Sequence, residues 1–228
     1  METTLNQLAY DLLTIIRGGK LSQSELIELD QVKFWIKNTR ATLIRQDQAK
    51  GRSISDNIMQ TIPCLEVSLA NTSECCEITG PCTILRTTLR IPKPLEIQQR
   101  DMIERVAGVD ITKPGFTIVP YFRAIYHGNS RWSKGLKIAF YKNGYIYLMG
   151  APANMRKISV MEVLDDPTEA RDYSTCSGES CYTDDSPYPI SGWMVEIMKK
   201  MILDTNFRVA MTAPTDSLGD EHAKTDGK

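Results

Sequence analysis

The chain has 228 residues, enough for one elaborated domain or two small ones. It is 42% hydrophobic, which supports a sizeable core, and its formal net charge of −1 singles out no partner by average charge. No apolar run approaches the ~18 residues that a membrane span needs. The start, METTLNQLAYDLL, lacks the basic and small-residue signature of a signal peptide, so a soluble protein made inside the cell is expected.

The first predicted helix runs from Leu5 to Arg17, with a Thr4–Gln7 capping box and a Gly18-Gly19 stop. A second helix is expected over 24–50, opened by Ser22 and Glu25, with a stripe of Leu26, Leu29, Val32, Ile36 and Leu43. The short connection makes the two helices antiparallel neighbours. On another face of the second helix, Lys33, Lys37 and Arg40 recur at i, i+4, i+7. From Lys33 to Arg52 there are six basic residues and one acid, Asp47. That face reads either as a solvated surface or as a patch that meets acidic protein or nucleic acid.

From Ile62 the period changes to 2. Leu65, Val67 and Leu69 alternate with polar residues, as do Leu85, Thr87, Leu89 and Ile91. Two short strands follow, over 103–109 and 116–119. The stretch 121–147 holds eight of the seventeen aromatic residues, read as cross-strand pairs of a sheet. Asn143-Gly144 between alternating runs is a strong hairpin signature. A last strand is expected over 158–164. The segment 165–186 then carries seven acids against Arg171 alone, and reads as a long surface loop ordered against a neighbour.

The stretch SPYPISGWMVEIMKKMIL sets a Pro-Tyr-Pro turn before a late helix N-capped by Ser191. Its predicted buried stripe is Met194, Ile197, Met198, Met201 and Ile202, with Lys199 and Lys200 on the other face. The fold expected is α+β. A helical subdomain combines 1–55 with 187–210, a β-rich subdomain spans 56–165, an acidic loop spans 166–186, and a flexible polar tail spans 211–228.

Six cysteines lack a Cys-x-x-Cys pair and a nearby histidine, so no metal site is assigned. Free thiols are the first expectation, and a disulfide within Cys176–Cys181 or among Cys75, Cys76 and Cys82 is the alternative. No catalytic constellation, phosphate loop or cofactor signature appears, so no enzyme and no cofactor are expected. The side chains expected to meet partners are Lys33, Lys37, Arg40, Trp193, Lys199 and Lys200. A nucleic-acid-binding module acting through 33–52 is the reading from a different class.

The stretches TLNQLAYDLLTIIRGG, FWIKNTRATLIRQDQAKGRSI and SPYPISGWMVEIMKKMIL resemble a structural ring protein of crAss-like short-tailed phages, and the order of elements is similar to head-to-tail adaptors of the tail-tubular-protein-A type. The similarity covers most of the chain, with the C-terminal tail outside it. This resemblance implies a virion neck or tail protein, assembled in the host bacterial cytoplasm and forming a homo-oligomeric ring, a dodecamer. Its implied partners are the portal protein and neighbouring tail rings. Double-stranded DNA would pass through the lumen without specific binding. It implies that helices 5–17 and 24–50, together with 191–203 and the tail, meet the portal. A ring or hub further down the tail is the alternative.

Overall fold

The computed structural model describes residues 3–18, 27–70, 84–110, 112–126 and 135–209. The fold is α+β, with helices from both ends of the chain around one core and a curled sheet around a second.

Helix α1 (Leu5–Ile16) starts at the expected capping box. The Gln7 N–H donates to Thr4 Oγ1 and the Thr4 N–H donates to Gln7 Oε1, both at 3.2 Å. Leu5, Leu8, Ala9 and Leu12 recur at helical spacing and are all buried. Helix α2 (Leu29–Ala49) begins behind Glu28, later than expected, and Ser22 and Glu25 lie outside the described residues. Its Val32, Trp35, Ile36 and Ile44 pack into the same core.

A short 3-10 turn (Asp56–Ile58) leads into β1 (Gln60–Leu69). The strands β2 (Leu85–Thr87), β5 (Ile103–Gly108), β6 (Thr117–Ile118), β7 (Ile138–Lys142), β8 (Tyr145–Met149) and β9 (Lys157–Glu162) join it in the order β5-β9-β1-β2-β8-β7-β6. All neighbours are antiparallel except β6 and β7. The outer strands then meet. Phe116, just before β6, bridges Val106 of β5, and its N–H donates to the Val106 carbonyl at 2.7 Å. The sheet thus curls into a small closed barrel filled by Ile62, Leu65, Val67, Val106, Ile146, Leu148, Ile158 and Val160. A Cβ at Gly115 would lie 2.7 Å from that same carbonyl, so only glycine fits the seam.

The expected Asn-Gly hairpin joins β7 to β8. Asn143 (φ 54°) and Gly144 (φ 87°) are both left-handed, and Lys142 faces Tyr145. In β1 a register shift between Ile62 and Leu65 lets both face inward, which strict alternation forbids, and Pro63 falls within it. A pin of β3 (Glu96–Ile97) and β4 (Arg100–Asp101) carries no turn signal in its sequence. Its Gln98 (φ 50°) and Gln99 (φ 64°) adopt the backbone that Asn-Gly would favour. Inside the aromatic-rich stretch, residues Tyr121–Ala124 form a short helix, α3, behind Pro120.

Helix α4 (Gly192–Met201) returns to α2 and passes into a π-helical turn (Ile202–Phe207). Its buried stripe is Met194, Val195, Met198 and Ile202. Ile197, expected in that stripe, falls on its outer flank and is exposed beside Trp193. The whole expected tail, 211–228, lies outside the described residues.

Candidate assembly surface

The acidic segment predicted to face a neighbouring copy lies on its own chain, as a strap over α2. The i, i+4, i+7 spacing that aligned Lys33, Lys37 and Arg40 directs them towards it. Lys33 Nζ meets Asp184 at 2.9 Å, and Lys37 Nζ meets Asp166 at 2.9 Å and Thr168 Oγ1 at 2.8 Å. About two turns beyond Lys37, Arg45 meets Asp165 at 2.9 Å. Arg171 within the strap also pairs with Asp184. Burial alone would raise both Asp166 and Asp184. The Lys37 and Thr168 hydrogen bonds outweigh it at Asp166, and Lys33 and Arg171 do so at Asp184, so both carboxyls lie below their ordinary range.

Arg40 is not on the surface. It is 0% exposed and donates to three backbone carbonyls: Nε to Pro189 at 2.6 Å, one terminal nitrogen to Leu164 at 2.8 Å, and the other to Ile58 at 3.2 Å. Its guanidinium lies 5.9 Å from the Tyr188 ring centre. Desolvation lowers its pKa, partly offset by the nearby Tyr188, Tyr182, Asp166 and Asp165. A planar fork with five N–H donors can collect carbonyls from three segments, which a lysine cannot. Arg40 therefore knots the Pro-Tyr-Pro turn that follows the strap, the end of β9 and the turn before β1.

The strap is fastened elsewhere too. Cys176 forms a disulfide with Cys64 of β1, with Cα atoms 5.3 Å apart, and Cys181 remains a free thiol. The expected alternative, a bond between Cys176 and Cys181, is replaced because the strap crosses β1 at Cys176. Cys75, Cys76 and Cys82 lie outside the described residues. The Asn6 side chain donates to Asp185 at 2.8 Å, and Thr4 bridges Pro187, so the first turn of α1 is held as well.

Between the two cores Glu162 is 0% exposed at the mouth of the barrel, and neither carboxylate oxygen has a hydrogen-bond partner among the described residues. It stands opposite Gln60, whose Oε1 is likewise unpartnered there. Burial, reinforced by Asp101 and Glu169, pushes the Glu162 carboxyl well above its ordinary value.

With these charges spent inside the subunit, the surface is left to other groups. Trp193 is 50% exposed, with the Arg52 guanidinium 5.8 Å from its ring centre. Lys199 is drawn back onto the protein by Asp11 at 2.6 Å and Glu196 at 3.3 Å, and the Asp11 bond raises its pKa. Lys200 is exposed and forms no ion pair with a described residue. Of the six side chains expected to meet partners, Trp193 and Lys200 are thus the freest.

A second surface escaped the sequence reading. Phe140 and Tyr147 are the expected cross-strand pair, stacked at 5.1 Å. Their outer side, roofed by Tyr121 and Ile125 around α3, opens into a cleft of about 560 Å³. The available signal was β8 itself. Ile146 and Leu148 face the barrel interior, and the alternate residues Tyr145, Tyr147 and Met149 are also large and apolar. A strand apolar on both faces has a second face to cover.

Among the described residues no group of three or more His, Cys, Asp or Glu could hold a metal ion, and no helix is long and apolar enough to cross a membrane. No curated protein matches the chain. A family model described as "Phage tail ring protein 2" matches residues 7–226, which takes in most of the C-terminal tail that the resemblance had left out. A match over nearly the whole length settles membership: the chain belongs to the phage tail ring protein 2 family of crAss-like phages.

Proposed function

We propose that this protein forms the ring joining the portal to the downstream tail, as a homo-oligomer of twelve copies through whose lumen the DNA passes unread, and that it helps retain the packaged genome. The family match carries the broader part: a structural ring protein of the phage tail, oligomeric, borne in the virion and assembled with other tail proteins. The geometry supports a rigid building block. A knotted helical subdomain and a closed barrel are strapped together, and apolar side chains stay exposed at separate places, Trp193 and Ile197 on α4 and Tyr121 and Phe122 on the barrel.

Within this reading helices α1 and α2 and the tail face the portal, while Trp193 and Lys200 on the outer face of α4 remain free for a second partner. The nucleic-acid alternative loses its main support, because Lys33, Lys37 and Arg45 are neutralised by the strap and Arg40 is buried. A symmetry-resolved map of the particle neck tests the proposal. Twelve copies beneath the portal are expected, and placement further down the tail would move the protein to a distal ring. Light scattering that shows only monomer, even with portal and tail proteins present, would overturn the ring itself.

A further inference from the structure

Among the described residues the barrel's outer strands meet, which leaves little open edge for a neighbour to extend and makes side chains the main means of contact between copies. The acid–base pairs that could have linked copies are used within the subunit. The aromatic cleft remains. Its floor is Phe140 and Tyr147 and its wall is Tyr121 and Ile125. Two cations lie at its margin: Lys142 Nζ is 3.8 Å from the centre of the Tyr121 ring, and the Arg90 guanidinium is 6.0 Å from that of Tyr145. Neither forms an ion pair with a described residue, and among the described residues no acid lines the cleft. The cleft therefore fits a partner that is apolar and carries a carboxylate.

The chain presents such a surface on α4. Trp193 and Ile197 are one turn apart and exposed, and Glu196 stands between them at 81% side-chain exposure. The Glu196–Lys199 pair is exposed on the acid side and weak enough to exchange. Lys200 shares this face, about 6 Å along the axis from Glu196. That spacing orients the contact, with Glu196 towards Lys142 and Lys200 away from it.

We infer that the outer face of α4 of one copy, led by Trp193 and Ile197, docks in the Phe140–Tyr147 cleft of the next copy, with Glu196 against Lys142 and Arg90. This inference rests on the ring reading above. The two surfaces lie on different elements, so the contact is head-to-tail: each copy gives α4 to one neighbour and its cleft to the other, and the series closes if the rotation permits. Trp is a favoured anchor for such a pocket, and the flanking charges fix its register.

The test uses the full chain. Glu196→Lys and Lys142→Glu remove only a weak surface ion pair and one cation–π contact, so each variant should melt within about 4 °C of the parent. In analytical ultracentrifugation each single variant should need about tenfold or more higher protein concentration to assemble, because a like-charge pair now faces the contact, and the double variant should recover. A benzoyl-phenylalanine at Ile125, which lines the cleft and is exposed, in a mixture of heavy- and light-isotope chains, should cross-link to residues 192–201 of the other chain. Rings that form unchanged in both single variants, with cross-links to another segment, overturn this contact and leave the ring standing. A parent chain that stays monomeric alone and with its tail partners overturns the ring reading and this contact together.

Discussion

Replacing Arg40 by methionine tests the idea that one buried cation knots the fold. The unbranched methionine occupies much of the volume, so the main loss is three charge-assisted hydrogen bonds, to Pro189, Leu164 and Ile58. Each such bond contributes about 1.5–3 kcal/mol, or roughly 4–9 kcal/mol together before other terms. Against this, the guanidinium no longer has to be stripped of water, which recovers several kcal/mol, but three carbonyls are left buried and unpaired. The net expectation is a loss of about 3–5 kcal/mol, the usual cost of removing a group from a buried ionic network. For a chain of this size that is a fall of roughly 6–20 °C in Tm. Arg40→Lys should fall between, because an ammonium cannot span three separated carbonyls. The measurement is a thermal melt followed by circular dichroism, with urea denaturation beside it. A methionine variant melting within about 3 °C of the parent, with an unchanged urea slope, would refute the knot.

The Glu162 carboxyl has a folded-state pKa above its unfolded value, so its proton favours the fold: the charged form is penalised as pH rises through the window from about 4.5 to the raised value. Tm should therefore rise on acidifying from pH 7 towards 5, and Glu162→Gln should be more stable at pH 7 and flatten that slope. Asp166 and Asp184 act in the opposite sense in a lower window, because their depressed pKa values cost stability only as pH falls below about 4. Gly115→Ala should open the barrel seam and cost about 1–3 kcal/mol by urea denaturation, because its Cβ would meet the Val106 carbonyl at 2.7 Å. Cys64→Ser should lower the Tm in oxidising buffer and match the parent in reducing buffer. The bond closes a sequence separation of 112 residues, for which chain entropy sets an upper bound of about 5 kcal/mol.

The elements with strong local rules were legible in the sequence. The Thr4–Gln7 box, the stripe of α1, the Asn143-Gly144 turn and the return of α4 to the helices each follow from a few adjacent residues. What was not legible depends on distant partners. The i, i+4, i+7 spacing of Lys33, Lys37 and Arg40 correctly placed them on one face, but nothing local says that the seven acids of 165–186 lie across that face of the same chain. Ile197 and Met198 differ only in which side of α4 the neighbouring helix covers. The Gln98-Gln99 turn contradicts local preference and is held by the β3–β4 pairing. The register shift in β1 reverses the parity on which an alternation argument rests. The cleft was overlooked because an aromatic hairpin is fully explained by cross-strand pairs until its outer row is counted separately.

The strap also sets the timing of folding. Its bonds to Lys33 and Lys37 span 151 and 129 residues of sequence, and the Pro189 carbonyl just after it reaches Arg40 across 149. On a ribosome adding about 5–20 residues per second, α2 therefore waits roughly 6–30 s between its own synthesis and the arrival of its anions. Through that interval its cationic face and the hydrocarbon core beneath it are uncovered, and the first turn of α1 lacks the Pro187 bridge. α4 follows the strap in the chain, so the helical core cannot close until the chain has been made as far as Ile202. Chains truncated before α4 lack this closure, and only a subunit that contains it has the shape that a ring can select.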